Sequence, residues 1–467
     1  MMLRKNDIID LKIESVTNLG FGVGRHMGIV IFVSGAVMGD EVKVKIIKST
    51  PSYAVGRVEK IIKLSDERCD TRCGNKACTS CAYKYISYEK ELELKQTDVK
   101  GAFQKAGLKD IEILPTVPSP KLKEYRNKGQ YPITRDKFGE YTVGFYAPKT
   151  HNVKEARDCA LLPSEYNEII NTLTVFFKEK NVSVYDEKTG DGILRHIYLR
   201  RGEVSGEILL TLVITKDNLP DEEEFTKLLT KKFPKIVGIL INTNRENTNV
   251  ILGDKFKTIF GRDHIFDTVL GVELKITAPA FYQVNHGATE LLYQKAKDLA
   301  MPTKEDTILD LFCGAGSIGL TMAKDVHELI GIEIVDSAVR CARENANRNG
   351  VTNAKFYTGD ATVTENLLKQ AERELKRKIF PTIIILDPPR AGCDERLLNF
   401  VVSLSPKKIV YISCNPQTLA RDMAILKPLG YTAKEVSTFD LFPMTGHVES
   451  VVCLTRRLDN ELRERMN

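Results

Sequence analysis

Apolar and polar residues alternate with period two over several short stretches of the first sixty residues: 8–14, 28–33, 41–48 and 56–62. That period marks half-buried strands. Glycines at 20, 22, 24, 28, 35 and 39 read as the turns between them. Short strands broken in this way predict a small OB-like β-barrel over residues 1–63. The period changes between Ser87 and Leu108, where Tyr88, Leu92, Leu94, Val99, Phe103 and Ala106 share one broad helical face. Strands with helices between them return over 192–276, so 64–282 is expected to be a central α+β domain. From 283 onward helix and strand take turns: an amphipathic helix over 287–299, a strand at 307–312, then a glycine turn opening a helix. Further strands follow at 328–334, 380–387 and 409–413, with a terminal pair near 433–439 and 449–455. This alternation predicts a doubly wound, Rossmann-like α/β domain over 283–467. The expected fold class is multidomain: a β-barrel, an α+β middle and a C-terminal α/β domain.

Composition narrows the class. The 467 residues are 42% hydrophobic and 28% charged, which suits a soluble globular chain with a sizeable core. No apolar run approaches the roughly eighteen residues of a membrane span, and Met1-Met-Leu-Arg-Lys-Asn-Asp7 lacks the apolar centre of a signal peptide. A cytoplasmic monomer with no membrane partner is expected. The net charge of +6 is a mild pointer to a polyanion. Lys43, Lys45, Lys48, Arg57 and Lys60 alternate outward on the barrel, as phosphate contacts require, although a solvated strand face has the same pattern. Lys121 to Tyr131 mixes cations with tyrosines, a pairing that holds phosphates and stacks bases.

Ten cysteines in a reducing compartment do not read as a disulfide framework. Cys69, Cys73, Cys78 and Cys81 are concentrated in one segment, and Cys159 can close a four-thiolate site from another. Four thiolates suit Zn²⁺ and an iron–sulfur cluster alike. With no acid–base group among the ligands, such a site reads as structural.

Four motifs at strand ends carry the chemistry. Gly314-Ala-Gly316-Ser-Ile-Gly319, with Glu333 about a strand further on, spells the dinucleotide fingerprint. It suits a nicotinamide cofactor or S-adenosylmethionine, since both present a ribose to the acidic residue. Asp310 just before the glycines favours the sulfonium cofactor, which prefers nearby carboxylates. Asp387-Pro-Pro-Arg390 ends an apolar strand and places Asp387 to accept a hydrogen bond from a planar N–H; a loop-capping aspartate is the bland alternative. Cys414 follows a β-branched strand and precedes Asn415-Pro416, which puts a thiol at the sheet edge where open α/β folds keep their ligands. A buried apolar cysteine is the competing reading. Glu449 begins the final apolar strand, where a surface glutamate is the plain alternative. Chemistry at pyrimidine C5 needs a nucleophile and a base, and Cys414 and Glu449 offer both. The site is expected to lower the thiol's pKa from about 8.5 or to deprotonate it on binding.

These motifs resemble those of the RNA uracil-5-methyltransferase family. Phe281-Tyr-Gln283-Val-Asn285, Asp310-Leu-Phe312-Cys-Gly314, Asp387-Pro-Pro-Arg390, Ser413-Cys414-Asn-Pro416 through Arg421-Asp422, and Gly446-His447-Val448-Glu449 match in order. Tyr125-Arg-Asn-Lys128 is similar to that family's central-domain signature, and the N-terminal barrel to its TRAM domain. The resemblance implies a class I methyltransferase fold with Cys414 as nucleophile and Glu449 as general base. It further implies that Gln283, Phe312, Glu333 and Asp387 line the S-adenosylmethionine and uracil pocket. Ribosomal-RNA members of the family carry a four-cysteine [4Fe–4S] cluster, which sets the cluster above zinc and implies Cys73, Cys78, Cys81 and Cys159 as its ligands. The family spacing C-x₅-C-G-G-C is not kept: Cys73 stands one residue too close to Cys78, Cys69 is an alternative ligand, and Thr79-Ser80 replaces Gly-Gly. The implied activity is methylation of uridine C5, in 23S ribosomal RNA or, as the alternative, in transfer RNA. A noncatalytic RNA-binding or folding factor is the reading from another class.

Overall fold

The computed structural model describes residues 3–71, 73–75, 78, 80–147, 150–156, 158–360 and 364–457. Thr79 of the cysteine segment lies outside them, as do the chain's first two and last ten residues. Among the described residues the strands form sheets of six, seven, two and nine.

The six-stranded sheet occupies Ile8–Lys63. Ile8–Lys12 pairs with Glu41–Ser49 at one edge, while Ser15–Val16 pairs with Phe21–His26 at the other. Those two edge strands are successive pieces of one extended segment, so the sheet curls back on itself around Leu11, Ile31, Val33, Val42, Val44 and Ile46. Gly22 and Gly24 do not make turns as expected; they lie inside Phe21–His26. A Cβ on Gly22 would meet Ala36 at 2.9 Å and one on Gly24 would meet the carbonyl of Lys12 at 2.5 Å, so the tight curl needs both.

The seven-stranded sheet runs from Lys128–Arg135 to Lys255–Gly261. Helices Ser164–Glu179 and Glu222–Lys232 cover one face through Tyr166, Ile169, Leu173, Phe176 and Phe225. Its central strands Leu194–Arg201 and Ile208–Ile214 are buried on both faces. This explains why the second reads as a nearly unbroken apolar run rather than an alternating one.

The nine-stranded sheet holds the strand-end motifs. Ala354–Thr358, Glu328–Glu333, Thr307–Leu311, Ile383–Leu386 and Lys408–Ser413 lie side by side and parallel, so their C-terminal ends share one edge. Glu449–Arg456 is antiparallel to Lys408–Ser413, with Ser413 opposite Ser450. An antiparallel strand begins where its parallel neighbours end, and this brings Glu449 to the edge that carries Cys414.

The core crosses the expected boundaries at 63/64 and 282/283. The hairpin of His264–Val269 and Val272–Thr277 buries Ile265, Val269, Leu274 and Ile276 in one cluster with Leu292 and Ile308. The helix Tyr88–Lys105 places Val99 and Phe103 among Leu419, Met423 and Val436, and the short strand Glu112–Ile113 extends the C-terminal sheet beside Glu435–Phe439. Both segments have a single apolar face, and the nearest large apolar layer takes it. Asp40 joins the curled N-terminal sheet to the segment that follows: it accepts from Arg68 Nη2 at 2.6 Å, and its carboxyl is fully buried.

Candidate functional site

Cys414 sits between Lys408–Ser413 and the helix Pro416–Leu426, half-buried at the sheet edge rather than sealed in the core. Asn415 caps that helix by accepting from Gln417 N at 3.1 Å, and Pro416 opens it where no backbone donor is needed. Asn415 Nδ2 also donates to the carbonyl of Arg390 at 2.9 Å, so the thiol loop and the Asp387-Pro-Pro-Arg390 loop are tied together. Asp422, nearly two turns along the helix, accepts from Tyr411 Oη at 2.6 Å and from Cys393 N at 2.8 Å and is fully buried, which locks the helix to the strand.

Carboxylates crowd this edge. Glu449 is 3% exposed. Burial, and then the neighbouring Asp387, push its carboxyl well above the usual range, against the pull of Arg390. Burial lifts Asp387 to about 7. Cys414 is pushed up to about 11, first by burial and then by the charges of Glu449 and Asp387, with Arg390 opposing. The expected lowering of the thiol's pKa is therefore reversed in the free protein, because two carboxylates and partial burial outweigh one exposed guanidinium.

The glycine turn lies along the same edge. Asp310, inside Thr307–Leu311, is fully buried and accepts from Gly319 N at 3.1 Å through one oxygen. Its other oxygen, Oδ1, is buried with no protein partner among the described residues. Burial, Asp387 and Glu333 raise its carboxyl to about 8. Glu333 accepts from Gly314 N at 3.1 Å and from Val335 N at 2.8 Å, which fixes the turn to the end of the next strand. Phe312 takes a left-handed φ of 66°, rare outside glycine, just where the chain leaves its strand for the turn. An unshared buried carboxylate oxygen among further acids is an environment that favours a cation, and this donor set fits a sulfonium cofactor. Gln283 is buried ahead of the helix His286–Ala300, with its backbone carbonyl accepting from Asn127 Nδ2 at 2.9 Å; among the described residues no hydrogen bond ties its side chain to the acids.

A buried framework holds the Glu449 loop. Lys95 donates to Glu91 at 2.8 Å, to Asp440 at 2.5 Å and to the carbonyl of Phe442 at 3.2 Å. Glu91 Oε1 also accepts from Met444 N at 2.8 Å, and Asp440 accepts from Tyr88 Oη at 2.9 Å. The turn of the N-terminal sheet abuts the same loop, since a Cβ on Gly446 would run into the backbone of Asn18. Asp98 accepts hydrogen bonds from Asn18 and from Gln417 in the Cys414 helix, which pull against the upward push of burial on its carboxyl.

Cys73, Cys78, Cys81 and Cys159 line one cavity of about 250 Å³, together with Arg126, Lys128 and Thr445. Asn75 gathers them: its carbonyl oxygen accepts from Cys78 N at 2.9 Å, while its Nδ2 donates to Asp158 at 2.9 Å and to the carbonyl of Glu155. Among the described residues no three His, Cys, Asp or Glu side chains are arranged to hold one metal ion. Cys69 is not among the residues lining that cavity.

Sequence reasoning missed Tyr293. It is buried on the helix His286–Ala300, its hydroxyl lies 3.3 Å from Ser317 Oγ, and Asp387, Asp310 and Glu449 all act on it electrostatically. Only its place on the apolar face of a helix was visible, and that marks core residues in general.

A family model described as tRNA (Uracil-5-)-methyltransferase matches residues 87–457, and a TRAM domain model matches residues 3–58. A protein of Listeria innocua named as an uncharacterized RNA methyltransferase is 39% identical over 455 residues, covering 97% of this chain and 99% of its own. One of the same description from Clostridium tetani is 36% identical, covering 97% of each chain. The crystal structure of the Pyrococcus abyssi tRNA (uracil-54, C5)-methyltransferase in complex with S-adenosyl-L-homocysteine superposes with a TM-score of 0.76 at 28% identity. That match covers 96% of this chain and 99% of the other.

Proposed function

The chain belongs to the tRNA (uracil-5-)-methyltransferase family, and from that premise we infer that it methylates C5 of uridine in RNA through a covalent bond between Cys414 and the base. One observation supports this above the others: the pairing of Ser413 with Ser450 sets Cys414 and Glu449 at the same sheet edge, beside Asp387.

S-adenosylmethionine, when bound, supplies an electrophilic methyl group on a sulfonium. Asp310 and Glu333 would hold its cationic and ribose parts, with Phe312 and Gln283 completing the pocket. A cation among these acids favours their charged forms, which readies Glu449 to act as a base. Asp387 accepts from the uracil N3–H and orients the ring. Sγ of Cys414, its proton lost to solvent under the cofactor's positive charge, adds to C6 as the thiolate; the C5=C6 electron pair moves onto C5 and O4, making C5 nucleophilic enough to take the methyl, whose bond to the sulfonium would break with the electron pair kept on sulfur. Glu449 then removes the proton from C5, the pair re-forms C5=C6, and the C6–S bond breaks to return the thiolate.

The four cysteines share one cavity of about 250 Å³, and four thiolates suit an iron–sulfur cluster as well as zinc. We propose that Cys73, Cys78, Cys81 and Cys159 hold a [4Fe–4S] centre with a structural role. Anaerobically purified protein should then contain iron and sulfide, and stoichiometric zinc would reverse the assignment. By analogy with the family's ribosomal-RNA members, the cysteine set favours 23S ribosomal RNA as substrate. The likeness to the Pyrococcus abyssi tRNA enzyme favours transfer RNA as the second reading.

The test is to incubate the protein with methyl-labelled cofactor and unmodified 23S ribosomal RNA or transfer RNA transcripts, and then analyse the nucleosides. Label in 5-methyluridine is expected. Label only in cytidine, adenosine or ribose would overturn the reading, and the transcript that is labelled decides between the two RNAs.

A further inference from the structure

Lys128 and Arg200 stand directly opposite each other across the antiparallel pair Lys128–Arg135 and Leu194–Arg201. Directly opposed residues project from the same face, and like charges so placed repel. Arg200 is 1% exposed. Its Nη2 donates to Tyr198 Oη at 2.9 Å, but Nε and Nη1 are buried without any partner among the described residues. Burial and the charges of Arg200 and Arg126 hold the Lys128 ammonium down to about 8, and no carboxylate is among the influences on it. A buried guanidinium with two idle donors beside a lysine of like charge destabilises the free protein. It is the arrangement expected where an anion arrives from outside.

The location narrows the anion. Asn127, next to Lys128, donates its backbone N–H to the carbonyl of Val284 at 2.8 Å and its side chain to the carbonyl of Gln283. This end of the sheet is therefore fastened to the segment that enters the catalytic cleft. Lys128 lines the cavity of the four cysteines, which Thr445, in the loop leading to Glu449, also lines. The charge of Arg126 reaches Cys81 and Cys159, whereas that of Arg200 reaches Tyr282, the neighbour of Gln283. Lys128 thus stands between the cysteine cavity, whose lining does not include Arg200, and the segment that enters the cleft.

We propose that Lys128 and Arg200 form a subsite for one backbone phosphate of the RNA, close to the uridine held in the cleft. The proposal rests on the reading of the chain as an RNA methyltransferase. A phosphodiester oxygen takes one idle Arg200 donor and the lysine together, converting repulsion into a shared charge-assisted contact.

The experiment compares full-length parent with Lys128→Met and Arg200→Lys on whichever transcript the parent methylates. KM for RNA is measured across a salt series, alongside thermal unfolding and affinity for S-adenosylhomocysteine. Lys128→Met should raise KM about five- to tenfold and flatten the slope of log KM against log salt by roughly 0.7–0.9, the value for one phosphate contact. Because it removes like-charge repulsion, it should unfold at the same temperature as the parent or higher, with unchanged affinity for S-adenosylhomocysteine. Arg200→Lys keeps the charge and loses the fork, so KM should rise with little change in slope. An unchanged slope and KM in Lys128→Met would overturn the subsite. So would a fall in stability that accounts for the loss, or a change confined to iron content. A parent that shows no salt-dependent interaction with either RNA would instead overturn the RNA reading itself.

Discussion

Lys95 and Asp440 lie 345 residues apart in the chain, yet Nζ of the first donates to Oδ1 of the second at 2.5 Å, with both side chains fully buried. Glu91 completes the cluster, so one ammonium serves two buried carboxylates. Lys95→Met should strip both acids of their buried cation and lower stability by about 3–5 kcal/mol, measured by urea denaturation. It should also reduce kcat, because the backbone of Phe442 and Met444 in the Glu449 loop hangs on the same cluster. Parent-like stability would show that the cluster holds nothing.

Asp310 gives the free protein a pH-dependent stability. Its carboxyl titrates near 8 in the fold against an ordinary value of 3.8. Below about 4 the group is protonated in folded and unfolded chains alike. Between those values the folded chain holds a proton that the unfolded chain has lost, so stability falls as pH rises toward 8. Asp310→Asn removes this penalty. The variant should unfold at a higher temperature than the parent at pH 8.5, converge with it near pH 4, and bind S-adenosylhomocysteine about tenfold more weakly. Parallel melting curves across that range would contradict the assignment.

Cys414 should be sluggish toward alkylating agents at neutral pH. With its thiol pushed up to about 11, peptide-resolved iodoacetamide labelling should climb about tenfold per pH unit to a midpoint near that value. Glu449→Gln should move the midpoint down, since it deletes the larger of the two negative charges that disfavour the thiolate. A midpoint below 8 in the parent would show that Arg390 dominates the site.

The strand-end residues were legible in the sequence because each announces itself locally: a β-branched run that stops at Cys414, prolines after Asp387, glycines after Asp310. The alternation beyond residue 283 likewise predicted a sheet whose parallel strands present those ends together, and the five parallel strands from Ala354–Thr358 to Lys408–Ser413 do so. What could not be read depends on distant segments meeting. Nothing near Lys95 indicates Asp440, and nothing near Gly446 indicates Asn18. The hairpin at His264–Thr277 has the same alternating pattern whichever sheet it serves, so its membership of the C-terminal core is decided by packing. The thiol's raised pKa was missed for the same reason, since only the folded chain sets Glu449 and Asp387 beside it.

The covalent account is tested most directly by mass analysis of the protein after turnover on RNA that carries 5-fluorouridine in place of uridine. Fluorine at C5 cannot leave as a proton, so Glu449 has nothing to remove and the bond from Cys414 to C6 persists. The account predicts an RNA adduct on the peptide containing Cys414, formed only when S-adenosylmethionine is present and absent from Cys414→Ala. Methyl transfer to the fluorinated base with no adduct on Cys414 would contradict it.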